Sequence, residues 1–355
     1  MFIYLLVIAL IILMKIHLNG VPINDRQYLE LNYLRVVCFI LVAIAALRST
    51  SVGSDTYTYV DNYLNMSFTS FRDILYEKAD FPVYYLLSKI CSVLNMPVPL
   101  FLGLIECIYI YSIYRFIKAF SEDKLYTILC FTTIGLYAFS LAGLKQTLSM
   151  SFVLLFFISF VNKKYITMVI YAVLAFFSHQ SSLIFLFGVL LYCIRNWKIY
   201  YYALAGVVIL SLFGTTFLWS NLLLALNTEH YIESYMADEG YSPVTLIFYG
   251  ILVFIMFVFG KDYRRIKPIE SRFVFGVSLL AFAFQAFASV SASAFRLSYF
   301  FLPFMIIGFP NHFNNISDVT NKRLVRIIVA SIIVFFFVYT NRNGSSIVPY
   351  KFFWQ

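Results

Sequence analysis

Apolar residues in this chain come in long blocks, not in alternation. From "MFIYLLVIALIILM" onward, apolar runs of about 15 to 20 residues recur to the end, each long enough or nearly so to cross a hydrocarbon core of about 30 Å as a helix. About twelve such runs begin, near residues 2, 33, 98, 125, 146, 165, 181, 200, 243, 272, 296 and 326. The segment "FPVYYLLSKICSVL", residues 81–94, is short for a crossing and carries Lys89, so it reads as a re-entrant or interfacial helix. The opening run lacks a basic leader and a small-residue cleavage site and is expected to be a retained span. The pattern therefore predicts an all-α, polytopic integral membrane protein, with residues 1–355 forming a single transmembrane domain.

The polar breaks between runs fall into two kinds. "NKKY", "RNWK", "KDYRRIKPIESR" and "NKRLVR" are basic and all fall on one side when 81–94 does not cross; that side is cytoplasmic by the positive-inside rule. Both termini then lie on the outer face, together with two longer outer loops, 48–81 and 219–242, the second containing an acidic stretch around Glu229 to Glu239. The short breaks "AGLKQ", "SHQSS" and "ASAFRLSYF" share that face. Solvating residues have no reason to gather in one compartment, so the arrangement predicts one outward-facing site between helix ends.

Composition sharpens this. The chain is 62% hydrophobic and 12% charged, with a mean hydropathy of +0.84, against about 45–50% apolar residues in an average soluble domain. In a soluble protein the net charge of +9 would suggest nucleic acid; here the charges follow the membrane sides, and no nucleic-acid partner is expected. Cys38, Cys91, Cys107, Cys130 and Cys193 all lie inside apolar runs without CxxC spacing, and read as small buried hydrophobes.

Arg48, Lys145 and Arg296 are placed at the ends of predicted spans on the outer side. Three converging cations suit a polyanion, and arginine in particular forks onto phosphate oxygens through parallel donors. Taken singly, each also reads as a snorkelling flank reaching the headgroups, although Arg296 in "SVSASAFRLSYFF" sits among small residues that favour close helix packing. His179, in "AFFSHQSSLIF", suits a base, an acid or a neutral hydrogen-bond donor, and equally a bridge between two helix ends. Glu106 lies deep in a span, where a carboxylate needs a partner; Lys145 or Arg296 is the simplest choice. Asp55 and Asp61 flank a tyrosine-rich stretch, and Tyr57, Tyr59 and Tyr63 are available to stack on sugar rings. No GxxxxGK[ST], HExxH or GxSxG pattern occurs, and no outer Asp-x-Asp pair that would hold a divalent cation, so no metal and no cofactor is expected.

The stretch "LRSTSVGSDTYTYVDNY" resembles the "R-x-x-x-V-G-T-D-T-x-x-Y" pattern of the EpsG family, Wzy-type polymerases of exopolysaccharide, capsule and O-antigen repeat units. "KADFPVYYLLSKI" is similar to the family's "E-P-G-F-x-x-L-N-x-I", though without its glycine. "AGLKQTLSM" and "AFFSHQSSLIFL" resemble its "R-Q-x-x-A" and "A-x-x-F-H-x-S-A-L-I", and "FRLSYFFLPF" its late "R-x-x-Y-Y-F". Arg48, Gly53, Asp55, Tyr59, His179, Ser181 and Arg296 match; Lys145 stands where the family has arginine, keeping the charge and losing the fork.

The resemblance implies a metal-independent glycosyltransferase of the bacterial cytoplasmic (inner) membrane that joins undecaprenyl-diphosphate-linked oligosaccharides on its outer face. A chain-length regulator is an implied further partner. On that reading Arg48, Arg296 and Lys145 stabilise the departing diphosphate, and His179 or Asp55 orients or deprotonates the acceptor hydroxyl. Gln146, Tyr57, Tyr59, Ser181 and Tyr299 contribute to substrate binding. Two other classes fit many spans and buried cations. A flippase for lipid-linked oligosaccharides would place its site near the midplane and show inverted repeats, and no internal repeat is evident. A glycan-decorating acyltransferase would use a membrane-proximal histidine on the side where its acyl donor arrives.

Overall fold

The computed structural model describes residues 1–77, 80–215, 217, 243–289, 294–342 and 344–355. The predicted loop 219–242 lies outside the described residues. Among them the structure is helical, without a strand beyond one isolated antiparallel bridge between Arg48 and Phe352.

Among the described residues six helices are long and apolar enough to span a membrane: Phe2–Asn19, Ile23–Ala46, Val98–Phe120, Leu144–Val161, Glu270–Ser289 and Val319–Asn341. Lys124–Thr133 and Leu136–Ala142 add a seventh if taken as one span bent by 51°. Shorter apolar helices occupy Tyr165–Ser178, Gln180–Cys193, Trp197–Phe213 and Val244–Phe259. Each predicted run is therefore largely helical, but several are too short for the roughly 20 residues of a full crossing. The supported description is a polytopic membrane protein with six or more spans.

By its internal contacts the chain divides into two compact units: residues 1–183 with 327–355, and residues 184–326. In the first unit, α1 (Phe2–Asn19), α2 (Ile23–Ala46), α6 (Val98–Phe120), α7 (Lys124–Thr133), α8 (Leu136–Ala142), α9 (Leu144–Val161) and α10 (Tyr165–Ser178) form the bundle. Between α2 and α6 lie the short α3 (Thr56–Leu64), α4 (Phe71–Glu77) and α5 (Pro82–Val93), so the predicted loop 48–81 is largely helical. At 1.5 Å per residue the 12-residue α5 is only about 18 Å long. Its awkward Lys89 is buried and donates to the carbonyls of Met66 (2.9 Å) and Ser67 (3.2 Å), capping the preceding turn instead of facing lipid.

The ends of this bundle differ. At one, Lys15 pairs with Asp123 at 2.7 Å and Lys124 with Glu30 at 3.2 Å, fastening α1 and α2 to the start of α7; the Asp123 carboxylate also caps α7 by accepting from the Tyr126 N–H. The opposite end gathers the C-terminus of α2, the α8–α9 junction, the end of α10 and the tail after residue 343. The bend between α7 and α8 sits at Gly135, whose φ of +109° is a backbone region open mainly to glycine.

In the second unit, the helix Pro268–Gln285 carries the core. Phe284 stacks on Phe301 at 5.3 Å, Phe273 meets Phe304 edge-on at 5.6 Å, and the Tyr200 hydroxyl donates to the Arg272 carbonyl at 2.6 Å. The eleventh predicted run does not begin as an α-helix at 296: a 3-10 turn covers Ala294–Phe300 and the helix Leu302–Asn314 follows, with Pro303 in its first turn, where a missing N–H costs nothing.

Two of the five cysteines differ from expectation. Cys38, Cys91 and Cys130 are buried, whereas Cys107 and Cys193 are exposed, and all five are free thiols.

Candidate functional site

Lys145 lies in the first turn of α9, half-buried, immediately after the Gly143 junction. Its Nζ donates to the Tyr85 hydroxyl at 2.8 Å and lies over four aromatic rings: Phe81 at 4.4 Å from the centroid, Tyr85 at 4.6 Å, Tyr84 at 5.7 Å and Tyr59 at 6.0 Å. Ring faces are negative, and an ammonium held over them gains about 0.5–2 kcal/mol, more the further it is removed from water. Asp80 adds a carboxylate in electrostatic range. The cage comes from two helices: Phe81, Tyr84 and Tyr85 share one face of α5 by i, i+3, i+4 spacing, and Tyr59 comes from α3, packed edge-on against Tyr84 at 5.6 Å.

His179 stands behind this cage, its ring 5.1 Å from that of Phe81. It ends α10, and Ser149 of α9 holds that end by donating to the Ala175 carbonyl at 2.8 Å and the His179 carbonyl at 3.4 Å. Nδ1 of His179 lies 2.6 Å from the Ser181 hydroxyl and also receives the Ser181 backbone N–H at 3.3 Å. A backbone N–H can only donate, so Nδ1 is the acceptor and the neutral ring carries its proton on Nε2.

Asp55 is half-buried at the N-terminal boundary of α3, one turn before Tyr59 and on the same side of that helix. Tyr57 is 70% exposed. Tyr63, expected to be available for sugar, is a core residue: its ring stacks on Phe101 at 3.9 Å and its hydroxyl donates to the Met96 carbonyl at 2.6 Å. Gln146 is buried beside Lys145 in α9.

Arg48 is 1% exposed. Its guanidinium donates to the carbonyls of Ala45 and Leu141, and its electrostatic partner is Glu106, which accepts from the Ser140 hydroxyl at 2.9 Å. Glu106, expected to pair with Lys145 or Arg296, thus has Arg48 and Ser140 as its partners among the described residues of the first unit. The loop after Arg48 is tied to the tail: Ser49 N–H donates to the Lys351 carbonyl (2.8 Å), Gly53 N–H to that of Ser346 (2.6 Å) and the Tyr350 hydroxyl to that of Ile44 (2.8 Å). Burial pushes the Tyr350 phenol up to about 12, which keeps it a neutral donor.

Arg296 and Tyr299 belong to the second unit, both half-buried in the 3-10 turn Ala294–Phe300; Tyr299 meets Phe295 edge-on at 5.7 Å and interacts electrostatically with Arg296. The first unit therefore brings together Lys145, Tyr59, His179 and Ser181, with Asp55 one helical turn from Tyr59, and adds three residues that were not singled out, Phe81, Tyr84 and Tyr85. Their signal was present in the sequence as three aromatics on one face of a short helix.

No curated protein and no solved structure matches the chain. A model of the EpsG family matches residues 31–352, which include every residue of the cage and the histidine behind it. The chain belongs to the EpsG family and is a polysaccharide-polymerase-type membrane protein.

Proposed function

We propose that this protein joins undecaprenyl-diphosphate-linked oligosaccharide repeat units into long surface polysaccharide at the outer face of the bacterial cytoplasmic membrane, with about twelve membrane crossings and both termini outside. The observation that carries the reading is the Lys145 ammonium in its aromatic cage with His179 behind Phe81. A cation suits a diphosphate, and flat aromatic faces suit the apolar faces of sugar rings. The two chemistries of a lipid-diphosphate-linked glycan thus meet at one place.

In the proposed reaction the acceptor hydroxyl oxygen attacks the anomeric carbon of the donor glycan, and the bond from that carbon to the diphosphate breaks. Lys145 neutralises the departing diphosphate without a metal, an electrostatic contribution of the oxyanion type. His179, with Nδ1 engaged by Ser181, presents Nε2–H as a donor to a phosphate or sugar oxygen. Asp55, one helical turn from Tyr59, accepts the proton of the acceptor hydroxyl. In the second unit Arg296, beside Tyr299, is read as a phosphate-contacting residue, and a chain-length regulator remains a proposed partner.

The test is deletion of the gene in its native host, with surface and lipid-linked glycans resolved on a gel. Loss of long polymer with single lipid-linked repeats retained on the outer leaflet is the expected result. Repeats trapped on the inner leaflet would make the protein a transporter, and intact polymer lacking an acyl group would make it an acyltransferase.

A further inference from the structure

Two buried charges hold neighbouring residues of one short helix. Arg48 donates to the carbonyl of Leu141 at 3.2 Å, and Glu106 accepts from the hydroxyl of Ser140 at 2.9 Å; both residues lie in α8. Arg48 is 1% exposed and Glu106 is fully buried, and among the described residues Nε of the one and Oε2 of the other lack hydrogen-bond partners. Charges so far from water are tolerated when each offsets the other, and each is the other's electrostatic partner.

The same helix is held from two further sides. Thr56 Oγ1 also donates to the Leu141 carbonyl, at 2.9 Å, and the Tyr137 hydroxyl donates to the Leu41 carbonyl at 2.8 Å. Four parts of the unit, α2, the loop after it, the start of α3 and α6, thus fix α8 in place. After Gly143, α9 begins, with Lys145 in its first turn. A guanidinium whose donors face two backbone carbonyls, and whose backbone is bridged to Phe352, is built to hold this junction and not to meet a substrate.

We propose that Arg48 is a positioning residue: with Glu106 as its buried counter-charge it fixes α8, and through α8 the placement of Lys145, without touching the lipid diphosphate itself. The inference rests on the reading of Lys145 as the diphosphate-binding cation.

Removing one member of a buried pair strands the other, whereas removing both together relieves the loss. The experiment compares R48M, E106Q, the double variant R48M/E106Q and K145M. Each is purified in detergent micelles for thermal stability, and each is expressed in the deletion host for polymer length. Either single change at the pair is expected to lower stability and shorten the polymer, while the double variant, which still lacks the Arg48 bonds to the Ala45 and Leu141 carbonyls, stays below wild type but is more stable and makes longer polymer than the worse single.

A double variant more stable than the worse single that makes no polymer overturns the proposal and returns Arg48 to direct contact with substrate. A double variant no more stable than the worse single, or one that fails to accumulate, overturns it by showing that the two charges are not a pair. K145M is expected to be stable and inactive. Normal polymer from K145M would sink the reading of the site, while the stability comparison would still report on the pair.

Discussion

His179 is the residue whose chemistry is most constrained by its surroundings. The Ser181 N–H fixes Nδ1 as an acceptor, which places the ring proton on Nε2. Glutamine places an amide N–H near Nε2, and asparagine places its amide near Nδ1. H179Q is therefore expected to retain more polymerisation than H179N or H179A, and H179A to lose about 100- to 1,000-fold in rate, the scale for removing one donor at developing charge. Equal loss in H179Q and H179A, measured as polymer formed per unit time, would argue against the donor role. Replacing Tyr85 by phenylalanine removes the hydroxyl that receives the Lys145 ammonium at 2.8 Å while keeping the ring. Y85F should weaken the site by about 1.5–3 kcal/mol, the net value of a charge-assisted hydrogen bond, and a chain-length distribution unchanged from wild type would refute that. At this scale the sequence was legible where a residue type has few uses. Lys145 and His179 could be picked out because a cation or an imidazole between apolar runs needs a reason. It was illegible where burial decides: nothing in "TYTYVDNY" distinguishes Tyr59 in the cage from Tyr63 in the core or Tyr57 in the open, because their difference lies in what α5 and α6 bring against them.

Elements carry the precision of the site. The loop from Arg48 to Thr56 can press on the end of α8 only because residue 53 has no side chain. Gly53 has φ +101°, and a Cβ there would collide with the Leu141 carbonyl and the Thr56 hydroxyl. G53A is expected to cost about 1–3 kcal/mol in backbone strain alone, read as a lowered melting temperature of the purified protein, and an unchanged melting temperature would contradict the tight contact. Helix existence was readable from the sequence because long apolar runs leave a membrane-embedded backbone no other way to satisfy its hydrogen bonds. Helix length was not. The break at Gly135, the 3-10 turn over Ala294–Phe300 and the helical content of 48–81 arise from glycine conformations, turn geometry and packing that a hydropathy pattern does not encode.

For the whole molecule the distribution of polar residues is the informative feature. In the first unit the ion pairs Lys15–Asp123 and Lys124–Glu30 mark one end of the bundle, and the caged lysine and His179 belong to the other. On the proposed topology, with the basic breaks cytoplasmic, the second end would face outward. Single cysteines at positions 55 and 179 are then expected to react with a membrane-impermeant thiol reagent applied to intact cells; labelling of both only after the cytoplasmic side is opened would invert the topology. The tail gives this end one more property. The bonds from Ser49 to Lys351 and from Gly53 to Ser346 join points about 300 residues apart. During synthesis at about 5–20 residues per second, the loop after α2 emerges roughly 15–60 s before its partner segment exists. A nascent chain therefore carries every residue of the lysine cage well before the segment that bonds to the loop after α2 has been made, so this end of the bundle takes its full set of contacts only after that segment is synthesised.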